Sequence, residues 1–298
     1  MKLRPLSPTA QSFVPKEQVV QVQKDYFRDI MPQLVKDTFM VSIYRARDNK
    51  LYFDDIYLGI PIEITEDQYN SLSTGGKNAI LEFATMYNEE HVIPASIYDR
   101  KEPIVNDLHN VLPVITFLNE QRSNLDIRQL KPNENPTDTY CYDYTNNKIV
   151  RVEGQEIIDK PGCVNMDVSQ ADRTYYNKRN ELYDKEYTTF SCLFGNCTFQ
   201  PANTEYLGLI ARTVLYFHSK YANHEHVNKK LYQDYMPADR IGLMHYWNNI
   251  YPPTYYEFQR HAHIVKKTGV SNKYFEEKME QMYGTNWKVE SGYIQLFN

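Results

Sequence analysis

One stretch of 35 residues, Glu90 to Asn124, limits what this chain can fold into more than any other. It reads Glu90-His91-Val92-Ile93-Pro94-Ala95-Ser96, then Asp107-Leu108-His109-Asn110-Val111-Leu112-Pro113, then Asn119-Glu120-Gln121-Arg122-Ser123-Asn124. Pro94 and Pro113 each close a short apolar run, because proline lacks the amide that a continuing helix or central strand needs. Val114, Ile115, Phe117 and Leu118 then supply apolar positions for a short helix. Two short strands followed by a helix would bring Glu90, His91 and Asn119 close together. A neutral imidazole can accept a proton from water near pH 7. A carboxylate and an amide oxygen are hard donors of the kind Mg²⁺ takes while keeping several waters. That set suits hydrolysis of a phosphodiester, where a cation offsets the charge that builds on the phosphate.

The same segments resemble the endonuclease I family, whose core reads Glu-His-Val-x-Pro, Asp-Leu/Met-His-Asn-Leu-x-Pro and Asn-x-x-Arg-Ser/Gly-Asn. A second block of the family is matched by Phe199-Gln200-Pro201, Gly208-Leu209-Ile210-Ala211-Arg212, Trp247 and Glu257-Phe258-Gln259-Arg260. The resemblance covers about residues 88–128 and 190–270, in the family's order. It implies an α+β fold with a ββα-metal (His–metal finger) core at about residues 87–127. It further implies that His91 is the general base, that Glu90 and Asn119 hold one Mg²⁺ (or Mn²⁺ or Ca²⁺), and that Asn110 braces the loop and the base. Arg100, with Lys101 beside it, is the candidate to support the scissile phosphate. The expected substrates are RNA and DNA, cut to 5′-phosphate and 3′-OH ends. A DNA-specific nuclease, or a catalytically inactive adaptor for nucleic acid, are the alternatives. Thr268-Gly269-Val270 stands where the family has Gln-Gly-Asn, and the segment from 132 to 190 is longer than the family's.

Outside these blocks the chain is ordinary for a globular protein of 298 residues, with 42% hydrophobic and 24% charged residues. A net charge of −5 denies it a broad basic surface, so any phosphate contact must be a local patch. The 26 tyrosines, with abundant Asn, Lys and Ile, hint at an AT-rich coding sequence. No segment reaches the roughly 18 apolar residues of a membrane span, and the N-terminus lacks the apolar core of a secretory signal. The expectation is a cytoplasmic protein with free cysteines at 141, 163, 192 and 197.

Residues 1–16 read as a disordered tail and 17–298 as a single nuclease domain with an insertion at about 132–190. In the tail, Leu6, Pro8, Ala10, Phe13 and Pro15 have the spacing of the short peptide that binds the MLLE domain of cytoplasmic poly(A)-binding protein. Leu6 and Phe13 would be its two apolar anchors. Together with the nuclease motifs, the tail suggests destruction of messenger RNA, as in viral host shutoff.

Elsewhere the periodicity predicts a helix over 16–35 and a hairpin over 40–64 around Asp48-Asn49-Lys50. Further helices are expected after Gly76, over 203–221 with Asn203 as N-cap, and over 240–250 and 255–267 on either side of Pro252-Pro253. Arg212, Glu257 and Arg260 read as a buried ion network. Glu225-His226-Val227 repeats the first tripeptide but lacks its following proline and is read as a polar surface segment.

Overall fold

The structure, a computed structural model, describes residues 31–122, 126–127, 136, 138–143, 145–146, 148–152, 162–167, 198–201 and 204–290. Helix α1 (Met31–Ser42) leads into a three-stranded antiparallel sheet of β1 (Tyr44–Arg45), β2 (Leu51–Asp55) and β3 (Ile60–Ile64). The expected hairpin is present, and Asn49 takes the left-handed conformation (φ 66°) at its turn. Its start differs, however. Met40, Val41 and Ser42 belong to α1, where Leu34, Val35, Thr38, Phe39 and Val41 form one buried face at helical spacing.

Helices α2 (Glu66–Thr74) and α3 (Lys77–Phe83) follow. The first opens on a capping box. Thr65 Oγ1 accepts from the Gln68 amide and the Gln68 side chain accepts from the Thr65 amide.

Next comes the ββα unit. Strand β4 (Tyr87–His91) pairs antiparallel with β5 (Val111–Ile115), with Glu90 opposite Leu112 and His91 opposite Val111. Helix α4 (Thr116–Arg122) leaves β5 directly. The fold is therefore α+β, with the ββα core where the motifs place it.

Within 132–190 the chain forms β7 (Asp138–Asp143), β8 (Lys148–Val152) and β9 (Cys163–Asp167). With β6 (Asp126–Ile127) and β10 (Thr198–Gln200) they make a five-stranded sheet in the order β6-β10-β9-β7-β8. Three strands of the segment read as an insertion are thus built into a sheet with residues on both sides of it.

The free-cysteine expectation is corrected here. The register places Cys141 directly opposite Cys163, and the two are joined in a disulfide with Cα atoms 4.0 Å apart. A separation of 22 residues hid the pair, because only strand pairing makes the two neighbours. Cys192 and Cys197 lie outside the described residues, as do the tail and its five motif positions.

The C-terminal half is helical: α5 (Glu205–Tyr221), α6 (Lys229–Tyr235), α7 (Ala238–Ile250), α8 (Tyr255–Thr268), α9 (Lys273–Tyr283) and α10 (Trp287–Glu290). Helix α5 is buried around its whole circumference from Tyr206 to Phe217, not along one stripe. Thr204 holds the N-cap position expected of Asn203, which lies outside the described residues. Gly208 is needed where α5 meets the end of α7, since a Cβ there would come within 2.4 Å of the Tyr251 carbonyl oxygen. One hydrophobic core runs from Leu34 to Ile264 and joins α1, the three-stranded sheet, the ββα unit and α5. Among the described residues, no helix is long and apolar enough to cross a membrane.

Candidate active site

His91 ends β4 and is buried. Its Nε2 lies 3.0 Å from the Val105 carbonyl oxygen. A carbonyl only accepts, so Nε2 carries the proton and Nδ1 keeps the lone pair. The imidazole is lowered to about 4, chiefly by burial and in smaller part by the charges of Arg100 and Arg122, against a raising effect from the Val105 bond. The ring is therefore neutral at physiological pH, the form a general base requires.

Asn110 braces the turn that follows His91. Its Oδ1 accepts from the Ile93 amide at 3.0 Å, and its Nδ2 donates to the Ile93 carbonyl at 3.4 Å and to the Tyr98 hydroxyl at 3.3 Å. Its own carbonyl accepts from Val92 N at 3.0 Å. Arg100 sits in left-handed backbone (φ 52°) just past the short 3₁₀ helix Ala95–Tyr98. Its charge is felt at His91.

Glu90 is buried, and its carboxylate meets a cage absent from the sequence reading. Tyr57 Oη donates to its Oε1 at 2.7 Å, and Arg122 Nη1 donates to the same oxygen. Desolvation raises Glu90 to about 7, opposed by Arg122 and Tyr57. Asn119, one turn before Arg122 on α4, donates through Nδ2 to the Glu89 carbonyl at 2.9 Å and to Asn88 Oδ1 at 2.8 Å. The fold thus gathers Glu90, His91, Asn110 and Asn119 into one unit, but it does not hydrogen-bond Glu90 to Asn119. Each is held by different partners, through bonds that use neither Glu90 Oε2 nor Asn119 Oδ1.

Those two oxygens are hard donors, and a buried carboxylate raised by desolvation is one that a cation would stabilise. The donor set fits a hydrated hard ion held by two protein ligands. Among the described residues, no group of three or more His, Cys, Asp or Glu side chains is arranged to hold a metal.

Arg122 also donates to the carbonyls of His91 at 3.1 Å and Val92 at 2.9 Å, and to the Tyr235 hydroxyl at 3.2 Å. One guanidinium thereby clamps both Glu90 and the backbone that leaves His91. Its position three residues after Asn119 was a usable signal, because i and i+3 share a helix face. Tyr57, 33 residues before Glu90, had no local signal.

The second motif block supports this unit from behind. Arg212 forms two bonds to Glu257, Nε to Oε1 at 2.7 Å and Nη2 to Oε2 at 2.6 Å, and so ties α5 to α8. Arg260 Nη2 donates to the carbonyls of Leu108 and Val111 at the start of β5, and its Nε donates to Ser42 Oγ at 3.2 Å. Asp107 accepts from the hydroxyls of Tyr216 and Tyr221 and from Lys220 Nζ, at 2.8, 2.6 and 2.9 Å. Glu225 and His226 are exposed, as expected for the repeated tripeptide.

No curated protein matches the chain. The family model described as Endonuclease I matches residues 23–153 and 163–278, a wider span than the two blocks that carry the resemblance. The chain belongs to the endonuclease I family and is a nuclease, with nucleic acid as its substrate.

Proposed function

We propose that the protein is a Mg²⁺-dependent endonuclease that hydrolyses RNA and DNA, with His91 as general base and Glu90 and Asn119 as the protein ligands of the ion. One observation carries the reading. The Val105 carbonyl fixes the His91 tautomer, leaving Nδ1 as a base on the residue next to a buried carboxylate. His91 Nδ1 takes a proton from the attacking water, and Asn110 keeps the turn behind the ring in place. Arg100 binds the phosphate. A divalent ion, when bound, supplies charge stabilisation to the phosphate undergoing substitution. Members of the family are generally dependent on divalent metals.

Water is the nucleophile in this scheme and the ribose 2′-hydroxyl has no part. Purified protein incubated with end-labelled RNA and DNA should therefore yield 5′-phosphate and 3′-OH ends, and EDTA should stop it. Ends bearing 2′,3′-cyclic phosphate, or full activity in EDTA, would overturn the scheme.

The proposal extends to recruitment. Through Leu6, Pro8, Ala10, Phe13 and Pro15, the tail docks on cytoplasmic poly(A)-binding protein and concentrates the nuclease on messenger RNA, a host-shutoff role in a virus-infected cell. Support for this part is the spacing alone. Tethering raises the local concentration to about the millimolar scale for short flexible linkers, which matters for an enzyme with a net charge of −5. Phe13→Ala should abolish capture by poly(A)-binding protein while cleavage of naked RNA stays normal. The Cys141–Cys163 disulfide favours a second reading, a nuclease working on DNA in an oxidising compartment. Wild-type capture in the Phe13→Ala variant would overturn the tail's role, and failure of the wild-type protein to be captured at all would select the second reading.

A further inference from the structure

The cage around Glu90 reaches outside the ββα unit. Tyr57 lies in the turn between β2 and β3 and is fully buried. That turn is anchored by one buried carboxylate. Asp55 Oδ1 accepts from the amides of Tyr57 and Leu58, both at 2.9 Å, while its Oδ2 accepts from the Ile115 amide at 2.7 Å. Gly59, at φ 64°, closes the turn with its amide on the Asp55 carbonyl at 2.8 Å. Asp55 therefore fastens the Tyr57 backbone to β5, the strand paired with Glu90's own strand. The Tyr57 hydroxyl then spans the remaining gap to Glu90 Oε1 at 2.7 Å.

We infer that Tyr57 is a positioning residue for Glu90. With Arg122 it keeps Oε1 engaged, so that Glu90 presents a single oxygen, Oε2, to a cation. Arg122 alone would not do this. A guanidinium and a carboxylate favour a two-bond, fork-to-fork pairing, the arrangement Arg212 and Glu257 adopt in this protein. In that pairing both oxygens of Glu90 would be consumed. Tyr57 occupies Oε1, and the Arg122 Nη2 group is drawn off to the Val92 carbonyl and the Tyr235 hydroxyl. The inference rests on the reading of Glu90 as a metal ligand.

The test is a titration of Mn²⁺ alone into the full-length protein, with the free ion followed by electron paramagnetic resonance. Glu90→Gln should abolish the signal of bound ion and so assigns it to this site. Tyr57→Phe should weaken Mn²⁺ binding by about 10–100-fold, the range for loss of a hydrogen bond that orients a ligand. Its cleavage should recover when Mg²⁺ is raised to saturation. Tyr206→Phe is the matched control. It removes another buried tyrosine bond to a carboxylate, Oη to Asp54 Oδ2 at 2.6 Å, and should leave Mn²⁺ affinity unchanged. Wild-type Mn²⁺ affinity in Tyr57→Phe overturns the inference, and so does an equal loss in Tyr206→Phe. If the wild type binds no Mn²⁺ and cleaves in EDTA, the metal reading itself fails and Tyr57 loses its role with it.

Discussion

His91 is the residue on which the proposed chemistry turns, and its environment defines what its loss should do. Removing a general base costs roughly 10²–10⁴-fold in rate. His91→Ala should fall by that much in single-turnover cleavage, while its circular dichroism and unfolding midpoint stay near wild type. Wild-type turnover by that variant would remove His91 from the mechanism. At this scale the sequence was informative wherever chemistry and spacing coincide. Glu90, His91, Asn110 and Asn119 fall within thirty residues of one another, and short strands joined to a helix leave them few ways to be apart. The partners of those residues were far less legible. Tyr57 reaches Glu90 across 33 positions, and a tyrosine in an apolar run looks like any other core residue until the strands are paired. Arg122 stood inside the motif, three residues after Asn119 on the same helix face, but its described acceptors come from β4, the turn after it and α6, so the local pattern gave its place and not its partners.

Secondary-structure elements were legible to the extent that their signals were local. Helices α7 and α8 lie within two residues of the expected bounds, because Pro252-Pro253 separates them and Thr254 caps the second. Helix α2 was missed although the Thr65 and Gln68 pair of its capping box is visible in the sequence. Its weak apolar pattern, with only Leu72 buried, explains why periodicity failed there. The five-stranded sheet was missed because its strands come from well-separated segments whose pairing no periodicity reveals.

Two predictions belong to this level. Glu257→Gln would leave the fully buried Arg212 guanidinium without its counter-charge. Breaking one side of a buried pair costs about 3–5 kcal/mol, which urea denaturation should register as a large drop in midpoint. Cys163→Ser opens a loop of 22 residues. Loop-closure entropy puts the loss at roughly 3 kcal/mol, and dithiothreitol should destabilise the wild type by about that much more than it does the variant.

At the scale of the whole molecule, the 269–272 turn rests on two buried histidines. His109 Nε2 bonds the Val270 carbonyl at 3.0 Å, and His261 Nε2 accepts from the Asn272 amide at 3.1 Å. Burial lowers His109 to about 4, although the charge of Asp107 and the Val270 bond work to raise it and Arg260 and Lys220 add to the lowering. The unfolded chain takes up this proton below about 6.5, while the folded one resists until about 4. Stability from this group is therefore present above 6.5 and lost as the pH falls from 6.5 to about 4, at about 1.4 kcal/mol per pH unit. The gap in unfolding free energy between wild type and His109→Gln should narrow with that slope over the same window. A gap independent of pH would show that His109 titrates normally in the fold.

Arg260 has a further consequence, for the order in which the chain is made. Every side chain assigned to the chemistry has been synthesised by residue 122. The guanidinium that holds the Leu108 and Val111 carbonyls, where β5 begins, is not added until residue 260. A chain shorter than 260 residues carries the complete motif but lacks this clamp on β5. The motif is thus complete in sequence long before its packing is complete in space.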